Sequence, residues 1–156
     1  MADPIFWASL GVSLSIFLAA IGAGLGIGIT GPGVAGATTE RPEVFARSFI
    51  AVVLAEALAI YGLVVALLAV FKLPAIASAT DATLAANSAF RIFAAGLAMG
   101  GGALGAGFGI GTSGSAMASA TAEKSELYSK VVIPVILSEA LAIYSLIIAL
   151  LLVLQA

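Results

Sequence analysis

Four long apolar runs are the sequence feature that most constrains the fold. They cover residues 5–38, 43–71, 84–120 and 126–154. An α-helix rises 1.5 Å per residue, so about 20 apolar residues cross the hydrocarbon core of a bilayer. With 62% hydrophobic and 9% charged residues, the chain is far more apolar than soluble domains, which are roughly 25% charged. We therefore predict an all-α integral membrane protein with four transmembrane helices.

Residue types that are missing exclude several functions. The sequence contains no Cys and no His, and its net charge is -2. Disulfides, thiol nucleophiles, histidine bases and the usual zinc or haem ligands are therefore ruled out. The sparse Lys and Arg form no basic face, so we expect no nucleic-acid partner. We predict no catalytic residue, no metal site and no cofactor. The start of the chain lacks the cationic region of a cleavable signal peptide, so we expect the first run to be a retained span.

The two halves of the chain are copies of each other. A shift of 83 residues (139 minus 56) superposes the segment EALAIY at residues 56–61 on the same segment at residues 139–144. The repeated unit is predicted to be a helical hairpin. The first hairpin covers residues 1–73, a linker covers residues 74–83, and the second hairpin covers residues 84–156. Because each hairpin crosses the membrane twice, both have the same orientation.

Positive charge predicts which way the hairpins face. Of the six Lys and Arg residues, four lie in or near the hairpin loops: Arg41, Arg47, Lys124 and Lys130. Loops that carry Lys and Arg are retained in the cytoplasm. We therefore expect both hairpin loops to be cytoplasmic, and both termini and the central linker to lie on the opposite side.

Glycines at a spacing of two mark the first and third helices. They are Gly22, Gly24, Gly26 and Gly28 in the first copy, and Gly105, Gly107, Gly109 and Gly111 in the second. This spacing gives each helix two faces with a GxxxG pair, which allows close approach of another helix. A single four-helix chain cannot cover so many glycine faces, so we predict a closed homo-oligomer. Its inner layer would hold the first and third helices, and its outer layer the second and fourth.

The same glycines also match a nucleotide-binding pattern. Residues 26–31 and 109–114 both fit GxGxxG. A dinucleotide site requires a strand before the motif and a loop that opens a helix. Here the motif lies within a predicted membrane helix, so we interpret it as helix packing.

Two acidic residues lie near the centres of the second and fourth runs. Glu56 and Glu139 occupy equivalent places in the repeat. A charged side chain at the bilayer centre costs roughly 2.5–3.5 kcal/mol or more. No Lys or Arg lies at that depth, so the remaining options are protonation, a bound cation or a charge on another protein. We predict that both are proton carriers. The alternative is a purely structural role, in which each carboxyl hydrogen-bonds a neighbouring helix.

Three polar residues near the carboxyls are candidates for hydrogen-bond support. Tyr61 and Tyr144 each follow a glutamate by five residues, and each hydroxyl is within reach of the carboxyl region. Ser138 adjoins Glu139, whereas the first copy has Ala at that place. Pro134 is expected to bend the fourth helix, so the two sites should be similar but not equivalent.

These features together resemble a known family. A glycine-rich helix, a short polar loop and a helix with one central acid, all duplicated, resemble the c/K proteolipid of V/A-type rotary ATPases. Residues 41–45 and 124–128 resemble its cytoplasmic loop, and residues 137–144 its ion-carrying helix. The resemblance implies a double-layered ring that turns against a stator subunit, whose arginine discharges each carboxyl. It also implies contacts between the cytoplasmic loops and a central stalk.

The sequence departs from part of that family around the acids. Many four-helix members lack the first acid, but Glu56 is present here, which implies two ions per protomer. Sodium-binding relatives carry Gln, Ser or Thr near the acid, whereas Ala and Leu follow both glutamates here. We therefore predict protons as the carried ion. The alternatives are a Na⁺-carrying rotor ring, a stand-alone four-helix proton-coupled transporter and a purely structural membrane ring.

Overall fold

The computed structural model describes residues 3–156 and is helical throughout its regular elements. Six α-helices follow one another: α1 (Pro4–Glu40), α2 (Phe45–Val70), α3 (Leu73–Ala77), α4 (Ala82–Glu123), α5 (Tyr128–Val131) and α6 (Ile133–Leu154). Single 3₁₀ turns at Pro42–Val44 and Ser125–Leu127 precede α2 and α5. The part of the chain that the structure describes contains no β-strand.

Four of the helical stretches are long and apolar enough to cross a membrane. They cover Pro4–Glu40, Pro42–Ala77, Ala82–Glu123 and Ser125–Leu154, with 37, 36, 42 and 30 residues. At 1.5 Å per residue, these stretches are about 45 to 63 Å long, well beyond a hydrocarbon core of roughly 30 Å. The predicted fold of four spans in two tandem hairpins is confirmed. The helices extend up to three residues beyond the predicted runs 5–38 and 84–120.

The fourth span is not one continuous regular helix. The short helix α5 ends at Val131, and α6 begins at Ile133 with Pro134 in its first turn. Pro134 has no backbone N–H and its ring crowds the preceding turn, so the helix is interrupted at this point. The first copy has Ala51 at the equivalent position, buried in the uninterrupted helix α2. The linker between the hairpins also contains a helix, α3, whose Ile76 is buried.

Helices α1 and α4 form the centre of the molecule and share its most extensive interface. Their backbones approach so closely that side chains are excluded at two crossings. A Cβ on Gly96 would collide with the backbone of Gly11, and a Cβ on Gly107 would collide with the backbone of Gly22. Small residues at an interface allow this close contact in membranes, where packing rather than water drives helix association.

The remaining spans pack outside this central pair. Helix α2 lies against both α1 and α4, whereas α6 packs mainly on α4 and touches α2. Buried hydroxyls link the helices: Ser15 Oγ donates to the Gly62 carbonyl at 3.0 Å, and Thr30 Oγ1 lies 3.3 Å from the Gly111 carbonyl. These bonds satisfy polar groups that would otherwise be buried without partners.

The two hairpin loops lie side by side at one end of the bundle. Arg41 Nη1 donates to the Ala122 carbonyl at 3.2 Å. The guanidinium of Arg47 lies 5.8 Å from the ring centroid of Tyr128, a cation–π contact. The four basic residues of the predicted cytoplasmic face therefore belong to one end of the molecule.

Only part of the glycine surface is covered within one chain. The covered glycines include Gly22, Gly26, Gly107 and Gly111. The exposed ones include Gly24, Gly28 and Gly105, where an added Cβ would meet no atom of another helix within 4 Å in residues 3–156. Each of the helices α1 and α4 thus uses one glycine face inside the chain and leaves another face open.

Candidate ion-binding site

Glu139 lies on α6 and is partly buried. The hydroxyl of Tyr61, on α2, donates a hydrogen bond of 2.9 Å to Oε1 of this glutamate. The bond joins the first hairpin to the second. A carboxyl with a hydroxyl donor at this distance is held in one orientation.

The reach of Tyr61 across the hairpins follows from helix geometry. At 100° per residue, a side chain five positions after Glu56 lies about 140° around the helix from it. Tyr61 and Glu56 therefore cannot share a face of α2. The sequence predicted that each tyrosine hydroxyl lies near a carboxyl, without saying which one. The spacing of five residues argues against the glutamate on the same helix.

Glu56 lies on α2 and is exposed on the surface of the single chain. Within residues 3–156, its carboxylate has neither a hydrogen-bond partner nor an ion-pair partner. Tyr144 is also on the surface, with 62% of its area exposed. The structure therefore brings one tyrosine to one glutamate, and leaves the other tyrosine and the other glutamate apart.

Ser138 forms no hydrogen bond with Glu139 in the part of the chain that the structure describes. Its hydroxyl donates to the Pro134 carbonyl of its own helix at 2.8 Å. The same hydroxyl lies against α4, where a Cβ added to Gly109 would be 2.7 Å from Ser138 Oγ. At the equivalent place in the first hairpin, Ala55 faces Gly26. Ser138 thus fills the helix interface at the level of the site.

Neither carboxylate forms an ion pair with a Lys or Arg of residues 3–156. In the described part of the chain, the only ion pair joins Arg41 to Glu43 in the first hairpin loop at 3.1 Å, and both side chains are largely exposed. Among residues 3–156, no group of three acidic, His or Cys side chains is placed to hold a metal ion. The chemistry that this arrangement offers is the gain and loss of a proton or a small cation at a carboxyl.

Comparison with known proteins identifies the same repeat. A family model described as the C subunit of ATP synthase matches the chain twice, at residues 10–69 and 93–152. The 16 kDa proteolipid of the V-type proton ATPase of Ovis aries is 37% identical over 147 residues, which is 94% of this chain and 90% of that protein.

Archaeal and yeast relatives give the same result. The K subunit of the A-type ATP synthase of Methanocaldococcus jannaschii is 35% identical over 97% of this chain and 64% of its own length. The c'' subunit of the V-type proton ATPase of Saccharomyces cerevisiae is 32% identical over 96% of this chain and 70% of its own length. The resemblance to V/A-type proteolipids is therefore confirmed, and the chain belongs to the family of the ATP synthase C subunit, in its duplicated four-helix form.

Proposed function

We propose that this proteolipid is a proton-carrying rotor subunit in the membrane sector of a V/A-type ATPase or ATP synthase. Glu56 and Glu139 are protonated and deprotonated in turn as the rotor moves against a stator subunit. The observation that carries the proposal is a pair of carboxyls, each near the middle of a span and each part of an identical repeat segment.

The energetics of a carboxyl in lipid explain the cycle. An ionised carboxylate at the bilayer centre costs roughly 2.5–3.5 kcal/mol or more, so a carboxyl that faces lipid holds its proton. Release requires a fixed cation that stabilises the carboxylate. Residues 3–156 place no Lys or Arg beside either glutamate. The cation therefore comes from another subunit, and an arginine of the stator fits this role.

The surroundings of Glu139 favour a proton over Na⁺. A bare alkali cation needs several oxygen ligands to replace its hydration shell. Tyr61 supplies one hydroxyl, Ser138 donates its hydrogen to its own helix, and Gly109 opposite offers no side chain. A proton needs only the carboxylate and at most one hydrogen-bond partner, so it fits this sparse environment.

A ring of identical protomers accounts for the open glycine faces. Gly in contact with lipid gains nothing from its lack of a side chain, whereas Gly against another helix permits close packing. The uncovered Gly24, Gly28 and Gly105 therefore support a neighbour on each side of the protomer. A repeated neighbour relation that closes gives a ring. Helices α1 and α4 form its inner layer, and α2 and α6 its outer layer.

The basic end of the bundle supports the direction of insertion. Arg41, Arg47, Lys124 and Lys130 lie in or beside the two hairpin loops. By the positive-inside tendency, these loops face the cytoplasm and contact the central stalk, and the termini face the other side. Each of the two hairpins acts as one ion-carrying unit, and the linker at residues 74–83 joins them.

Labelling with a hydrophobic carbodiimide tests the proton-carrier function. The reagent modifies protonated carboxyls, so both Glu56 and Glu139 are expected to be labelled in the membrane, and less at high pH. The Glu56→Gln variant should retain the label on Glu139 alone, and Glu139→Gln the label on Glu56 alone. Strong protection of both sites by Na⁺ at fixed pH would instead show that the ring carries Na⁺.

The ring itself has a separate test. Mass spectrometry of the protein released from mild detergent should show a single closed oligomer. A monomer under those conditions would contradict the rotor function and would favour a stand-alone transporter.

A further inference from the structure

A cleft separates the two hairpin loops at the basic end of the bundle. Arg47 of the first hairpin lines it on one side, and Ser125, Glu126, Tyr128 and Ser129 of the second hairpin line it on the other. Its volume is about 490 Å³, within the range of cavities that hold small molecules. Proton transfer at the glutamates in the middle of the spans uses none of these side chains.

Arg47 is held in place at one wall of the cleft, but its charge is not neutralised. Its Nη1 donates to the Ser125 carbonyl at 3.4 Å, and the guanidinium lies 5.8 Å from the centroid of the Tyr128 ring. A guanidinium has five N–H donors, so these contacts leave several donors free. Within residues 3–156, Arg47 forms no ion pair.

Glu126 brings an acid without an ion-pair partner to the same cleft. Its equivalent in the first loop is Glu43, which accepts a hydrogen bond of 3.1 Å from Arg41 Nε. The shift of 83 residues converts Arg41 and Glu43 into Lys124 and Glu126. No ion pair joins these two in the described part of the chain. The cleft therefore contains a free cation and a free carboxylate that do not neutralise each other.

Hydroxyl groups complete the lining of the cleft. Ser125, Tyr128 and Ser129 each contribute one, and none of these hydroxyls donates to another group within residues 3–156. The equivalent positions of the first loop have no hydroxyl, because the residues there are Pro42, Phe45 and Ala46. The same set of polar groups is therefore present once per chain.

Apolar surface continues from the cleft along the fourth span. Ile133 and Ile136 are exposed, and they follow Ser129 by four and seven residues, the spacing of one helix face. Two backbone bonds cross the break between α5 and α6, from Val132 N to the Tyr128 carbonyl and from Ile136 N to the Val132 carbonyl. The face therefore continues across the break.

The position of the cleft relative to the bilayer rests on the proposed function. In the proposed ring, α6 belongs to the outer layer, which faces lipid, and the hairpin loops lie on the cytoplasmic side. The cleft then lies at the level of the lipid headgroups, and the apolar face of α6 extends from it into the hydrocarbon. A ligand that fits has a charged head and an acyl chain.

We propose that the cleft binds the headgroup of an ethanolamine phospholipid. The phosphate accepts hydrogen bonds from Arg47 and from the hydroxyls, and the ammonium donates to the Glu126 carboxylate. An ethylene link joins the two charges of the headgroup, so one molecule contacts both walls. Its acyl chains lie against Ile133 and Ile136. The bound lipid thereby connects the two loops of a protomer.

The charges of the cleft favour ethanolamine over other headgroups. An anionic headgroup such as that of phosphatidylglycerol leaves Glu126 unpaired beside a phosphate. A choline headgroup is cationic, but its trimethylammonium has no N–H to donate to the carboxylate. Aromatic rings bind such groups on their faces. In this cleft, Arg47 already lies over the ring of Tyr128.

Lipid retention by the purified ring tests the headgroup site. The ring is exchanged into detergent that contains equal amounts of phosphatidylethanolamine, phosphatidylcholine and phosphatidylglycerol with the same acyl chains. Native mass spectrometry then counts the lipids that remain bound. One phosphatidylethanolamine per chain is expected. Arg47→Gln and Glu126→Gln should each lower its retention about tenfold, since each removes one charge-assisted contact. Glu126→Gln should also raise the retention of phosphatidylglycerol.

The repeat supplies matched control variants. Lys130→Gln removes the charge at the position equivalent to Arg47, and Glu43→Gln removes the acid equivalent to Glu126. Both should leave the ratio of the three retained lipids unchanged. Equal retention of the three lipids by the natural protein would overturn the site. So would a loss of phosphatidylethanolamine in Glu43→Gln that matches the loss in Glu126→Gln.

The two proposals fail in different ways. All residues of the cleft belong to one chain, so the lipid count per chain can be measured on a ring or on a monomer. A ring whose glutamates react with carbodiimide but which shows no preference for phosphatidylethanolamine would contradict the headgroup site and leave the rotor function intact. A monomer in mild detergent would contradict the rotor function, whatever lipid it retains.

Discussion

The two hairpins have nearly the same sequence around the acid, but their carboxyls have different surroundings within one chain. Glu139 is partly buried and accepts a hydrogen bond from Tyr61, whereas Glu56 is exposed. The difference arises because a chain with two hairpins has one internal interface and two outer sides. The second glutamate faces the internal interface, and the first faces outward. The two hairpins thus have similar sequences around the acid, but their different places in the chain give the two carboxyls different surroundings.

A second difference between the hairpins lies in the packing of the helices. In the first hairpin, Gly62 on α2 faces Ala19 on α1; in the second, Ser145 on α6 faces Gly102 on α4. These are equivalent positions in the repeat. The smaller residue has moved from one helix to the other, so the interface keeps one small and one slightly larger side chain. Such exchanges preserve the close contact between helices while the sequence of each copy changes.

The largest expected effect tests whether the two carboxyls are equal in function. Glu56→Gln and Glu139→Gln each remove the ionisable group with little change of shape. If both sites carry protons past the same stator, either variant should reduce ATP-driven proton transport in reconstituted membranes to background. Residual transport in Glu56→Gln alone would show that the internal site suffices and that the two hairpins differ in function.

The next prediction compares a covered glycine with an exposed one. Gly107→Ala places a Cβ against the backbone of Gly22, which cannot move aside, so overpacking should destabilise the protomer by about 1–3 kcal/mol or more. Gly105→Ala meets no other helix within residues 3–156 and should leave the protomer intact. Thermal unfolding in detergent measures the first effect. The fraction of protein in the ring measures the second, because Gly105→Ala should weaken contacts between protomers.

Whether the exchange of small residues between the hairpins is compensatory can be tested by introducing the residues of the second hairpin into the first. Gly62→Ser puts a larger side chain against Ala19 and should lower the free energy of unfolding by about 1–3 kcal/mol. The double variant Ala19→Gly/Gly62→Ser copies the second hairpin and should recover most of that loss. A double-mutant cycle measures the coupling. Additive effects would show that the exchange is not compensatory.

The smallest expected effect concerns a hydroxyl between the central helices. Thr30 Oγ1 is buried and lies within hydrogen-bond distance of the Ile110 and Gly111 carbonyls on α4. Thr30→Val should cost about 0.6 kcal/mol, the average for such bonds in membrane proteins. At the equivalent position, Ser113 donates to the Gly109 carbonyl of its own helix at 2.7 Å. Ser113→Ala should therefore have a smaller effect on the unfolding equilibrium.

The interruption of the fourth span is a structural feature that the local sequence predicts. Pro134 predicts a bend because proline cannot donate a backbone hydrogen bond, and the structure has a helix boundary at that place. The repeat alone would have predicted two equal outer helices. The difference between Ala51 in the first copy and Pro134 in the second predicts the interruption of the fourth span, which the repeat alone does not. The helix α3 in the linker was missed, since a segment of five residues has little periodic signal.

The sequence by itself determined the four spans, the duplication, the positions of both acids and the family, because hydropathy, repeat spacing and motifs are local properties of the chain. Only the tertiary structure decided which tyrosine meets which glutamate and which glycine faces are covered. Those outcomes depend on how α1, α2, α4 and α6 rotate against one another, and a helix with small residues on several sides allows more than one rotation. The close contact of Gly22 with Gly107 selects one of them. That choice pairs Tyr61 with Glu139 and leaves Glu56 exposed on the outer side of the first hairpin.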